Sequence, residues 1–180
     1  MLRGIGAAAL VLLSMTGCAS LSESDCRGGD WYNIGVRDGA NGRGEDYVAE
    51  HTAACQKVGV LPDHDRWLEG RDRGLERYCT ARNGYRVGEV GGSYNDVCFA
   101  GAELEFNRGY ELGLRMNQAK GKLERIENEI RIIENTLNTK GDKLSDQEKQ
   151  QLQYRLRQYE YDRGYLRRDV DELEWRSRSF

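Results

Sequence analysis

Apolar and small residues recur every three or four positions along most of this chain, with charged residues between them, so the pattern predicts helices nearly throughout. The longest run lies toward the C-terminal end. Gly109, Leu112, Met116, Ala119, Leu123, Ile126, Ile130, Ile133 and Leu137 alternate in steps of three and four, which is a heptad seam. Thr139-Lys140-Gly141-Asp142 breaks it. Ser145 with Glu148 three residues on is a capping box and starts a new helix. That helix has its own seam: Leu152, Leu156, Tyr159, Arg163, Leu166, Val170 and Leu173. Reading the second seam backwards pairs Leu137 with Leu152, Ile133 with Leu156, Ile130 with Tyr159, Ile126 with Arg163 and Met116 with Leu173, without a slip of register. Residues 116–180 are therefore expected to form an antiparallel helical hairpin (a coiled coil), with helices about 45 Å long at 1.5 Å per residue. Arg163 is the one polar seam residue, and its stem is expected to lie along the seam with the head group in water. So polar a two-helix seam needs docking, a second copy or a partner. Trp175 and Phe180 suggest docking on the preceding domain, with Gly109 facing the Phe180 layer; self-association through residues 116–180 into a four-helix bundle is the alternative.

Upstream the pattern changes. An aromatic residue, two residues, Gly, three residues, Gly recurs at Tyr32…Gly35…Gly39, Trp67…Gly70…Gly74 and Phe106…Gly109…Gly113, with a degenerate copy at Tyr161…Gly164…Arg168. Glycines four apart share one helix face. Each costs about 1 kcal/mol of helix stability relative to Ala, so a repeated pair implies a compensating close approach. The membrane form of this motif needs an apolar helix. Here Arg37, Asp38, Arg71, Asp72 and Arg73 accompany the glycines, so these helices belong in water. The reading is three short helices packed through Gly35, Gly39, Gly70, Gly74, Gly109 and Gly113, with Tyr32, Trp67 and Phe106 filling the core. A phosphate-cradling loop does not fit, because no Lys-Ser/Thr pair follows the glycines.

Asp30 is placed to cap the first of these helices, Trp31 to Ala40. Glu45 to Val58 reads as another helix ended by Gly59, and Asp65 to Tyr78 as the next. Thr80 to Val97 lacks helical periodicity and reads as a glycine-rich loop between Cys79 and Cys98. Long ordered loops often carry function. Tyr85, Arg86, Tyr94, Asn95 and Asp96 are its candidate binding residues; the competing reading is a connection that only covers the helix faces.

The first residues read as a processing signal. Arg3, the apolar run Ala7 to Leu13 and Met15-Thr16-Gly17 before Cys18 match the bacterial lipoprotein cleavage pattern. Residues 1–17 are then a signal peptide, Cys18 the lipidation site and residues 18–25 a short lipidated linker. Several acyl chains tether a protein firmly, at about 0.8 kcal/mol per buried CH₂. Ala19 resembles an outer-membrane address facing the periplasm. Cys26, Cys55, Cys79 and Cys98 remain, an even number in an exported chain, which suggests two disulfides. Three connectivities are open; Cys26–Cys55 with Cys79–Cys98 is preferred, though the sequence does not choose. His51 and Cys55, four apart, make a usable metal-ligand pair, but no second pair follows, so no metal and no cofactor are assigned.

Charge narrows the function classes. There are 27 Lys and Arg against 30 Asp and Glu, a net charge of −3. Loss of Arg3 with the signal makes the mature chain −4, which does not suit nucleic acid. His51 and His64 are the only histidines, and neither Gly-x-Ser-x-Gly nor His-Glu-x-x-His occurs. The chain therefore reads as a non-enzyme.

The run Cys26-Arg27-Gly28-Gly29-Asp30-Trp31-Tyr32, with Gly35, Asp38-Gly39, His51 and Cys55, resembles a family of bacterial envelope lipoproteins carrying a domain of unknown function. So do Gly70…Gly74…Tyr78-Cys79, Asn83-Gly84-Tyr85, Gly88 and Tyr94-Asn95…Cys98. The resemblance covers residues 26–115, leaves the hairpin outside, and implies an envelope lipoprotein with no established activity. The expected architecture is mainly α: a small disulfide-bonded helical domain (26–115) with one glycine-rich loop, then the hairpin extension (116–180). The expected role is a non-catalytic protein-interaction or structural module, held to the membrane by lipid on Cys18 and meeting an envelope protein partner. The alternative is a glycan, peptidoglycan or small-ligand binding lipoprotein using Tyr85, Tyr94, Trp31 and Trp67 as stacking surface. A hydrolase using His51 is the weakest reading.

Overall fold

Two pairs of glycine-faced helices form the domain, and the second pair continues into a long arm. The computed structural model describes residues 20–180, all helices and connections. The expected signal peptide and Cys18 lie outside the described residues. The helices are α1 (Glu23–Gly28), α2 (Trp31–Ala40), α3 (Val48–Cys55), α4 (His64–Tyr78), α5 (Ala81–Glu89), α6 (Ala100–Lys140) and α7 (Asp146–Ser177). Short 3-10 turns at Glu45–Tyr47 and Gln56–Val58 flank α3, so the expected helix over 45–58 is α-helical only in its middle. Asp30 caps α2 by accepting from Asn33 N, and Gly59 ends the Gln56–Val58 turn in the left-handed conformation.

Gly35 and Gly39 of α2 pack on Gly70 and Gly74 of α4 so closely that side chains have no room. A Cβ on Gly35 would lie 2.8 Å from Arg71 N, and one on Gly39 2.9 Å from Leu75 N. Position numbers rise together on the two helices, so α2 and α4 run parallel. Parallel neighbours need a crossover, and α3 supplies it. The same arrangement recurs between α5 and α6. A Cβ on Gly84 would meet Tyr110 N at 3.0 Å, one on Gly88 Leu114 N at 2.8 Å, and one on Gly109 Tyr85 N at 2.9 Å.

Helix α5 corrects the reading of Thr80–Val97 as a loop. Thr80 caps it, accepting from Asn83 N at 3.2 Å. Gly84 and Gly88 form a fourth glycine pair, with Ala81 where the other copies have an aromatic residue. Gly109 therefore faces α5, not the Phe180 layer. The degenerate frame at Gly164 is no packing copy: a Cβ there would meet only Arg168 Nη1, at 3.9 Å.

The two units correspond in detail. Cys26 precedes α2 and bonds to Cys55, which precedes α4; Cys79 precedes α5 and bonds to Cys98, which precedes α6. Each first helix ends in the same turn. Gly42 and Gly91 have φ of 69° and 70°, and their N–H groups donate to Gly39 O and Gly88 O at 2.9 Å in both cases. Arg71 Nε donates to Arg43 O at 2.8 Å, and at the equivalent place Tyr110 Oη donates to Gly92 O at 2.9 Å. The units meet where Leu75, Tyr78 and Cys79 pack with Phe106, Tyr78 stacking on that ring with centroids 5.1 Å apart.

The hairpin keeps the register of the two seams. Leu112, Met116, Ala119, Ile130, Ile133 and Leu173 are buried, and the remaining α7 seam positions are half-buried. Ser145 and Glu148 form the capping box that starts α7. Arg163 is half-buried, and the nearby cross-helix pair is Arg167 with Glu127 at 2.7 Å. The end of α7 docks on the second unit. Tyr85 packs with Leu112, Met116, Ala119 and Leu173, and Arg82 donates to Phe180 O. Among the described residues no helix is long and apolar enough to cross a membrane.

Candidate functional site

The first unit encloses a chain of polar side chains that the second unit lacks. α2 brings Asp38, α3 brings His51, α4 brings Trp67, and the segment before α1 brings Ser20. Asp38 Oδ2 accepts from Trp67 Nε1 at 2.9 Å and lies 2.7 Å from His51 Nε2. His51 Nδ1 lies 2.9 Å from Ser20 Oγ. His51 is 1% exposed, Trp67 0% and Asp38 5%. Buried polar groups are costly unless paired, and here Asp38 Oδ2, the indole N–H and both imidazole nitrogens each have a partner. Tyr47 closes over the imidazole edge-on, 5.1 Å away, and carries Arg43 on its ring at 4.4 Å.

Serine, histidine and aspartate are the residue types of a hydrolase triad, and the contacts run in that order. Such chemistry requires substrate to reach the serine and base together. Here Tyr47 and Trp67 enclose the imidazole, and Asp38 is shared with the indole. The contacts tie the segment before α1 to α2, α3 and α4. Both imidazole nitrogens thereby have a hydrogen-bond partner, Nε2 in Asp38 Oδ2 and Nδ1 in Ser20 Oγ. Leu21 is buried beside Cys26, Trp31, Ile34, Cys55 and Trp67. Ser22 caps α1 in a box with Asp25, and those hydrogen bonds hold the Asp25 carboxyl below its ordinary range. The segment expected as a linker is therefore folded against the domain from Ser20 onward.

The five residues expected to form one binding loop are divided among three places. Tyr85 lies on α5 and faces the hairpin, where burial raises its phenol pKa. Arg86 is on the exposed side of the same helix. Tyr94 is half-buried against Phe106, centroids 4.5 Å apart, its hydroxyl accepting from Cys98 N. Burial raises the Tyr94 pKa as well. Only Asn95 and Asp96 stand at an exposed tip, beside Glu45, Asp46, Arg71 and Asp72 around an open groove of about 570 Å³. Trp31 and Trp67 are core residues, 6% and 0% exposed, so neither offers a ring face for sugar. His51 and Cys55 are not a metal pair, since Cys55 is in a disulfide; among the described residues no cluster suits a metal ion.

Sequence reasoning singled out His51 but missed its partners. Superposing the two glycine frames would have exposed them. Asp38 precedes the packing glycine Gly39 where Val87 precedes Gly88, and Trp67 stands where Phe106 does. His51 and Tyr94 each lie four residues before the second cysteine of their unit. A charged residue where the sister unit has valine signals a buried partner.

No curated protein and no solved structure matches this chain. Residues 30–115, the span holding both glycine-packed units, match the model of a family described as "Protein of unknown function (DUF2799)".

Proposed function

We propose that this chain is a non-catalytic envelope lipoprotein, lipid-anchored through Cys18 at the outer membrane and facing the periplasm, whose helical arm meets a protein partner. The observation that carries the reading is the continuity of α6. One helix of 41 residues begins on the glycine-packed unit and runs unbroken to the hairpin tip. A partner binding anywhere along the arm is thus rigidly connected to the domain. The Ser20 clamp supports the other half of the reading. It fixes the chain two residues beyond Cys18, so little slack separates an anchor from the domain. Two disulfides suit an oxidising compartment.

In-cell photo-crosslinking from exposed arm positions of the full chain tests the interaction role. Crosslinks to an envelope protein from the arm, and none from the Asn95–Asp96 tip, are the expected result; the reverse distribution would move the interface to the tip. The anchor has its own test. Cys18→Ser is expected to move the chain from the membrane to the soluble fraction, and a variant that stays membrane-bound would remove lipidation at Cys18 from the reading.

A further inference from the structure

Helix α7 carries a second seam on the face turned away from α6. Tyr154, Tyr161, Arg168 and Trp175 follow at seven-residue intervals, opposite the inner seam of Leu152, Leu156, Tyr159, Leu166 and Leu173. Its aromatic members are unusually open: Tyr154 is 59% exposed, Tyr161 74% and Trp175 72%, and Tyr165, 62% exposed, flanks them on the side of Lys122 and Ile126. Aromatic rings aligned over six turns of a surface helix mark an interaction face more often than a solvated one.

The order of residues along this face identifies what fits it. A two-fold axis perpendicular to α7, passing between Gly164 and Tyr165, places Tyr154 against Trp175 of the second helix and Tyr161 against Arg168. The same axis sets Arg157 against Glu172, Gln158 against Asp171, and Tyr165 over Gly164. Each contact is favourable in kind: ring on ring, ring on guanidinium, opposite charges, amide on carboxylate, and a large side chain over a residue with none. In an isologous interface every such contact occurs twice, because residue i meets j and j meets i. Parallel pairing would instead set Arg157 and Arg168 each against itself. The end of the face is open as well. A groove of about 590 Å³, lined by Trp175 with Arg108, Leu112 and Phe180, opens beside it.

We infer that the partner of this face is a second copy of the chain, joined through an antiparallel α7–α7 seam centred between Gly164 and Tyr165. The two hairpins then form a four-helix bundle, with each tip beside the other copy's domain. This deepens the interaction-module reading and rests on it only in using the arm as the interface.

A charge-exchange series on the full, oxidised chain tests the register by sedimentation equilibrium. Arg157 and Glu172 are fifteen positions apart on one helix, roughly 22 Å, too far to pair within a molecule. Arg157→Glu and Glu172→Arg are each expected to weaken the dimer roughly tenfold, since each turns two opposite-charge pairs into like-charge pairs. The double variant R157E/E172R is expected to restore wild-type dimerisation, which only pairing between chains can do. Tyr161→Ala with Trp175→Ala should give monomers whose helix content is unchanged by circular dichroism. A dimer that the double variant does not restore would overturn this register. A chain that stays monomeric at its highest soluble concentration yet still crosslinks to an envelope protein through the arm would overturn self-pairing while leaving the interaction reading in place.

Discussion

The two glycine-packed units share a backbone and differ in what fills it. Both have parallel helices pressed together at four glycines, a disulfide joining the segments before those helices, and a left-handed glycine in the closing turn. Inside this common frame the first unit places Asp38, His51 and Trp67, the second Val87, Tyr94 and Phe106. The frame is therefore set by backbone contact and cross-linking, not by the chemistry of its core. That leaves the core free to acquire a task, and in the first unit the polar trio reaches out to Ser20 and holds the chain's entry into the domain.

Breaking the frame should cost most, and cost both units alike. Gly39→Leu and Gly88→Leu each drive a side chain into the backbone of the facing helix, which no rotamer can relieve. Each is expected to destabilise by more than about 4 kcal/mol, read as loss of the cooperative melting transition. Native melting in either variant would mean the close approach is not needed. Next comes the polar trio, where the units should diverge. Asp38→Ala leaves His51 and Trp67 buried without their acceptor and should cost about 3 kcal/mol, against about 1–2 kcal/mol for Val87→Ala in the apolar counterpart. Equal costs in denaturant titrations would dissolve the distinction. A triple exchange sharpens it further: D38V/H51Y/W67F gives the first unit the residues of the second. It should fold, but amide exchange at residues 20–22 should speed up as Ser20 loses its partner.

Removing the disulfides probes the frame again on a smaller scale. Each should contribute about 2–4 kcal/mol, with Cys26–Cys55 ahead by only about 0.4 kcal/mol because its loop is the longer, 29 against 19 residues. Paired Cys→Ala variants of each bridge compare them directly. The smallest effect is at the start of the first unit. The hydrogen bonds from Ser22 lower the Asp25 pKa, so their contribution is complete above the ordinary carboxyl value. It is lost as pH falls through the depressed one. The protection factor of the Ser22 amide should fall only in that acid range; one that stays unchanged there would detach the pH dependence from the Ser22–Asp25 hydrogen bonds.

The hairpin was legible because its information is local and repeated. Every heptad of 109–137 and 152–173 restates the same face, and the capping box marks where the second helix begins. Helix α5 was illegible for the opposite reason. Asn83-Gly84, Gly88 and Gly91-Gly92 are turn signals in isolation, and the glycines that let α5 lie against α6 are the ones that hide its helicity. With alanine at position 81, the frame that revealed the other helices lost its aromatic marker. The Ser20 network was less accessible still: its contacts span 31, 13 and 29 positions and follow no period. Their one trace in the sequence is the mismatch between corresponding positions of the two units.

The unbroken course of α6 makes the arm a lever. From Gly113, the last of its glycines packed against α5, to the hairpin tip at Lys140 is about 40 Å at 1.5 Å per residue. A tilt of about five degrees between α5 and α6 would therefore sweep the tip through roughly 3–4 Å, more than the length of a hydrogen bond. Motion too small to disturb the glycine contacts is enough to engage or release whatever the tip touches, and a load on the tip passes the Lys120–Glu89 and Asn117–Glu89 hydrogen bonds before it reaches Gly113 and Gly109.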